Sequence, residues 1–264
     1  MRLKISLKAK TGAMINLNYN YYLSSAIYRL LKLGSNEFAA FLHNSGYTAG
    51  GKKYKLFSFA IRFENFVIKN GVFNLLSPYA ALFVTSPLIE SFIQNFIIGT
   101  FKEQKIKIGG DRQSVVFDIE QVESYPSISF NDKMNFTLLS PIVLSTKKII
   151  NGEIKQYYLR PTDTEEINRV LTNNLLNKFK LINPNDIMNE DVKLEWDKSY
   201  LDKHERVTKK ITINENGKFP VDVIGIQAPF TIKGNPELIK TGYECGFGEK
   251  NSMGFGLADA DFTD

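Results

Sequence analysis

Tyr28, His43 and Lys55 place, within one short reach of chain, side chains that can move protons and hold negative charge. An imidazole with an ordinary pKa of about 6.5 populates both protonation states at neutral pH, whereas a phenol at about 10 stays protonated unless a cation sits beside it. With Leu23, Ala26, Ile27 and Leu30 as the inward stripe of a helix, Tyr28 lies roughly 130° round from it at ~100° per residue. His43 falls on the opposite side of a shorter helix from Phe38, Phe41 and Leu42, so both residues can face a cleft. Their ordinary alternatives are a rim tyrosine, a helix-terminal histidine favoured by the dipole, and a strand-edge lysine beside solvated Lys52 and Lys53.

The most distinctive segment is Gly246-Phe-Gly-Glu-Lys-Asn-Ser-Met-Gly-Phe-Gly256, where Gly246, Gly248, Gly254 and Gly256 free the backbone for positive φ and for close approach to a partner. It follows a predicted helix and leads into a strand, the reverse of a dinucleotide-binding loop, and Gly248-Glu-Lys-Asn lacks the ending of a nucleoside-triphosphate loop. His43 and His204 are far apart and no Cys-x-x-Cys exists, which argues against a zinc site. Cys245 reads as packing, and Asp259, Asp261 and Asp264 as a solvated tail. Two basic runs, Lys147, Lys148, Lys155 and Arg160, and Lys203, His204, Arg206, Lys209 and Lys210, are solvated faces or phosphate contacts.

The elements that must position these groups belong to an ordinary globular chain. Its 264 residues are 43% hydrophobic and 23% charged, which excludes a disordered or collagen-like protein. A net charge of +5 makes an anionic partner plausible. A single cysteine excludes an internal disulfide, and neither a signal peptide nor a membrane span is legible, so the expected location is cytoplasmic. Period-two alternation at Leu3, Ile5 and Leu7 predicts a strand. Helices are expected from Tyr21 to near Gly34, from an N-cap at Ser35 to His43, and from Ser86-Pro87 to Gly99, with strands over Lys55 to Ile61, Phe66 to Leu76 and Ile106 to Glu120. The order is β-α-β-β-α-β. The second half repeats it: a strand from Asn135 to Ser145, a helix from the capping box Thr162-Asp-Thr-Glu165, strands at Val192 to Trp196, Lys209 to Ile213 and Val221 to Ile232, and a helix from Asn235-Pro236 to Gly248. Ser86-Pro87-Leu88-Ile89 and Asn235-Pro236-Glu237-Leu238 match at a constant offset. The expected fold class is α+β, with two tandem ferredoxin-like domains spanning 1–128 and 129–264 and the glycine-rich loop at 246–256.

The run Gly242-Tyr-Glu-Cys-Gly-Phe-Gly-Glu-Lys-Asn-Ser-Met-Gly-Phe-Gly256 resembles the C-terminal signature of the CRISPR-associated repeat-processing endoribonucleases, of the repeat-associated mysterious protein superfamily. Tyr21-Tyr22-Leu23, Ala26-Ile27-Tyr28, Phe41-Leu42-His43 and Lys55-Leu56-Phe57 fall in that family's order, while the stretch 66–192 resembles it only in element order. The resemblance implies cleavage of CRISPR repeat RNA in precursor transcripts, by 2′-OH attack on the adjacent phosphate, with no metal or other cofactor. It implies Tyr28, His43 and Lys55 as the catalytic set, two handling protons and one the phosphate charge. Which of His43 and Tyr28 is the base stays open, since Tyr28 needs Lys55 beside it to act as one. RNA contacts are expected from Gly246, Gly248, Lys250, Asn251, Ser252, Gly254 and Gly256, and from Lys147, Lys148, Arg160, Lys203, Arg206 and Lys210. Besides repeat RNA, the partners allowed are a multi-subunit effector complex and a second copy of the chain. A family member that holds guide RNA without cutting it is the alternative. If the loop faces RNA rather than the core, Gly254→Val weakens RNA binding and leaves the thermal midpoint unchanged.

Overall fold

A computed structural model describes every residue except 111–112, 151, 215–218 and 262–264, so the expectation for Asp264 lies outside the described residues. The first half runs from strand Arg2–Lys8 through helices α1 (Asn20–Gly34) and α2 (Asn36–Asn44), strands Ser58–Phe63 and Tyr79–Thr85, helix α3 (Gln94–Glu103), and strands Lys105–Gly109 and Ser114–Ser124. Across the sheet the order is 58–63, 79–85, 2–8, 114–124, 105–109, with every neighbour antiparallel. The first four of these have the ferredoxin-like order, and 105–109 adds an edge. Leu3, Ile5 and Leu7 pack under Leu23, Ile27 and Leu30 of α1 and Phe96 of α3, as the period-two and helical stripes predict.

Helices α4 (Thr164–Ile182), α5 (Lys198–Lys203) and α6 (Pro236–Cys245) belong to the second half. Its sheet has the order 193–196, 230–233, 133–138, 258–260, again antiparallel and ferredoxin-like. It has its own core around Phe136, Leu171, Leu175, Phe230 and Leu238. The two matching segments precede equivalent helices but start them differently: Asn235 caps α6 directly, whereas after Ser86-Pro87 a wide helical turn, Ile89–Ile93, begins at Leu88 without a side-chain cap and runs on into α3. Ser86 Oγ accepts from Leu88 N at 3.1 Å, and Asn235 Oδ1 accepts from Glu237 N at 2.9 Å.

Several boundaries differ from the sequence reading. The stretch Phe66–Leu76 is no core strand but a hairpin, Phe66–Lys69 with Val72–Leu75, turning at Asn70-Gly71 with φ of 50° and 75° and pairing with Met14–Asn16. The core strand is Tyr79–Thr85. It shows no alternation because Leu82 and Val84 face the helices while Phe83 packs against Ala60 and Leu257 on the other side. The strand starting near Asn135 stops at Leu138, and 221–232 breaks at Gln227–Pro229, so that 221–226 pairs with 208–213 in a separate hairpin. No capping box forms at Thr162: Asp163 precedes α4 and accepts instead from Arg160 N at 2.7 Å and Tyr157 Oη at 3.1 Å. Helix α6 ends at Cys245 rather than Gly248. Gly99 does not stop α3 but lets it cross α1, since a Cβ there would lie 1.9 Å from Leu30 O.

The halves are joined by charge as well as by apolar contact. Arg2, 3% exposed, pairs with Asp259 at 3.0 Å, donates to Ala258 O at 2.6 Å and lies 3.8 Å from the centre of the Tyr243 ring. The first strand of one half is thereby tied to the last helix and last strand of the other.

Candidate active site

One face of α1 sets the geometry. Asn20, Ser24 and Tyr28 recur every fourth residue and therefore stack along the helix. Asn20 Nδ2 donates to Met253 O and Ser24 Oγ to Ser252 O, both at 2.8 Å, so the two N-terminal turns grip the glycine-rich segment. One turn further on, the Tyr28 ring meets His43 edge-on, with centroids 5.3 Å apart and planes at 85°, and leans on Phe57 at 5.8 Å.

His43 is exposed in the last turn of α2, whose N-cap Ser35 accepts from Phe38 N and whose Ala39 and Leu42 are buried. Its Nδ1 is 3.0 Å from Asn44 Oδ1. Lys55 arrives on the segment after the small hairpin Tyr47–Ala49 and Lys52–Tyr54, where Leu56, with φ 53°, turns the chain and Phe57 runs on into the core. The Lys55 ammonium donates to the carbonyls of Leu42 and His43, the latter at 2.8 Å, and so caps α2 from outside. Burial and, after it, the neighbouring Lys53 push the Lys55 pKa down. Burial pushes the Tyr28 phenol well up, so it is a neutral hydroxyl at any working pH. Among the described residues no hydrogen bond joins Tyr28 to Lys55. The Tyr28 phenol is shifted by burial with no contribution from a neighbouring cation, the contribution that a phenolate base requires.

Lys55 and Phe57 line a cleft of about 330 Å³ whose far wall is the glycine-rich segment, with Lys250 and Ser252 at its edge. The four glycines themselves are buried. A Cβ on Gly256 would lie 1.9 Å from Phe247 O, and one on Gly254, at φ +79°, 2.7 Å from the Phe59 ring. Asn251, also buried, donates to Phe247 O and Phe255 O at 3.2 and 3.0 Å and holds the loop from within. The glycines are thus required by the protein's own packing. The expectation that Gly254→Val spares the thermal midpoint changes accordingly. Left-handed backbone strain plus overpacking costs roughly 2 kcal/mol or more, lowering the midpoint by about 4 °C or more in a thermal melt; an unchanged midpoint contradicts this packing.

The basic residues separate. Lys147 lies in a groove of about 940 Å³ with Lys155, Arg169 and Gln156, and this groove shares Lys52, Gln156 and Glu249 with the cleft. Lys148 is turned onto the Tyr157 ring at 3.7 Å and toward Asp163 at 3.9 Å. Arg160, Lys203, Arg206 and Lys210 line neither cleft nor groove, and Lys210 pairs with Asp222 at 3.1 Å. His204 stacks on Tyr200, far from His43 in the chain, and no group of three or more His, Cys, Asp or Glu suited to a metal ion occurs among the described residues. Burial pushes the Cys245 thiol up to about 12, leaving it inert as a nucleophile. No helix of the described residues is long and apolar enough to cross a membrane. The sequence reading did not single out Asn20, Ser24, Arg169 or Lys178. The four-residue spacing to Tyr28 was a usable signal for the first two, whereas nothing in the sequence marks Lys178.

Two ferredoxin-like halves in tandem, with a glycine-rich strap from the last helix to the last strand forming one wall of a cleft, define the class of protein. Residues 14–122 match the family described as CRISPR-associated protein Cas6, N-terminal, and residues 122–260 that described as CRISPR associated protein Cas6, C-terminal. The chain belongs to the Cas6 family. It is 30% identical, over 97% of its length and 91% of the relative's, to CRISPR-associated endoribonuclease Cas6 1 of Methanocaldococcus jannaschii. A solved structure of a Cas6-related protein from Pyrococcus furiosus superposes with a TM-score of 0.81 at 24% identity, covering 100% of this chain and 99% of that one. Another, described as CRISPR associated protein Cas6, gives 0.72 at 28% identity, covering 99% of each.

Proposed function

We propose that this protein is a metal-independent endoribonuclease that cuts CRISPR repeat RNA in precursor transcripts, with its two units at 1–128 and 129–264. The observation that carries the reading is the Tyr28–His43 ring contact, with Lys55 capping the turn that bears His43 and itself lining a cleft walled by the glycine-rich segment. His43 takes the proton of the ribose 2′-OH. The 2′ oxygen then bonds to phosphorus as the bond from phosphorus to the 5′ oxygen breaks, leaving a 2′,3′-cyclic phosphate and a 5′-OH. The neutral Tyr28 hydroxyl gives its proton to the departing 5′ oxygen, and exchange with water then returns a proton to Tyr28 as His43 releases the one it took. Lys55 fixes the end of α2 that carries His43, and its positive charge faces the same cleft.

Repeat RNA incubated with the protein in EDTA is expected to be cut once per repeat, read as product length on a denaturing gel. RNA bound but uncut identifies a guide-RNA holder, and RNA neither bound nor cut removes the reading. The strand path is tested by salt titration. Lys147→Ala flattens the dependence of log affinity on log salt by about 0.7 for a single-stranded contact. Neutralising Lys203, Arg206 and Lys210 together changes it less, and the reverse order moves the path off the groove.

A further inference from the structure

Lys178, on α4, is 1% exposed and directs its ammonium into the glycine-rich segment. Its three N–H donors go to Gly246 O at 2.7 Å, Gly248 O at 2.8 Å and Asn251 Oδ1 at 2.8 Å. No carboxylate lies within ion-pair distance of it among the described residues. A buried cation without an anion is costly, and a neutral donor would satisfy the same oxygens more cheaply. Burial pushes its pKa down to about 8, so the charged form still predominates at pH 7. Lys178 also lines the cleft, together with Lys55, Lys250 and Ser252.

The loop is held from both sides. While Lys178 draws the carbonyls of Gly246 and Gly248 inward, the N–H groups of Phe247 and Glu249 are taken by Gly256 O at 2.7 Å and Val143 O at 2.8 Å. The segment therefore keeps one shape, with Lys250 in left-handed backbone at φ 57° and Ser252 fixed to α1 through Ser24.

We propose that Lys178 is a positioning residue for RNA cleavage: from the second half it holds the glycine-rich wall in register with Tyr28 and His43, and it places a fixed positive charge behind the site of the scissile phosphate. In a low-dielectric interior such a charge acts on a phosphate far more strongly than a solvated lysine does. The inference rests on the endoribonuclease reading. Cleavage by the unaltered protein tests that reading separately, in the same experiment.

The test compares Lys178→Met and Lys178→Arg with the unaltered protein in single-turnover cleavage of repeat RNA at saturating protein, at a temperature where circular dichroism shows each to be folded. Lys178→Met is expected to cleave about tenfold or more slowly even when saturated, with Lys178→Arg recovering at least half of that loss on a logarithmic scale. A folded Lys178→Met that cleaves within about twofold of the unaltered protein overturns the proposal. So does an arginine variant no faster than the methionine one. Should Lys178→Met not fold, Lys178→Gln takes its place, keeping two donors without the charge. It is expected to be slower than Lys178→Arg, and equal rates overturn the role of the charge.

Discussion

His43→Ala is expected to lower the rate of repeat cleavage by about 10² to 10⁴ while leaving RNA affinity within a few-fold, because that is the range a positioned proton-transfer group supplies. The structure separates the two effects. The His43 imidazole is exposed, and its contacts are the edge of Tyr28 and the Asn44 side chain. Helix α2 is anchored by Ala39 and Leu42 and capped by Lys55 through backbone oxygens, none of which the substitution removes. The fold should therefore persist. On the proposed strand path affinity draws on the distributed charges of Lys52, Lys147, Lys155, Lys250 and Arg169, which line the cleft and groove. Single-turnover cleavage and filter binding on the same preparation check the expectation. Equal loss of both in a folded variant would make His43 a binding residue, and the proton transfer would need another owner.

Tandem ferredoxin-like order was legible because amphipathic stripes and cap residues are local signals. Leu3, Ile5 and Leu7 alternate, Ser35 and Asn235 cap, and the Ser86-Pro87 and Asn235-Pro236 starts recur in equivalent places. Tyr79–Thr85 was not legible as a strand, since a strand buried on both faces shows no period. The glycines of the loop were read by their freedom, yet two of them have neighbours far away in sequence: Gly246 meets Ser58 and Gly254 meets Phe59. Contacts of that kind depend on how the two halves meet. Lys178 was hidden for a different reason: in sequence it is one more lysine in a helix with an ordinary apolar stripe, and its partners Gly246, Gly248 and Asn251 come to it only through the folding of the second half. Tyr28, His43 and Lys55 were reachable through residue type and resemblance, but only the side-chain geometry shows Lys55 committed to the carbonyls that end α2.

The central claim is that the nucleophile comes from the RNA itself, and one substituted substrate tests it. Repeat RNA with a single 2′-deoxy nucleotide on the 5′ side of the scissile phosphate loses its attacking group and, in binding, at most a hydrogen bond of about 0.5 to 1.5 kcal/mol. In the presence of EDTA, with the unmodified RNA as control, the deoxy RNA is expected to bind within about tenfold of the control and to remain intact through many half-lives of the control reaction. A nuclease that activates water on a metal ion does the opposite, cutting the deoxy RNA and stopping when the metal is withdrawn. Cleavage of the deoxy RNA at its normal position would contradict the mechanism assigned to His43 and Tyr28.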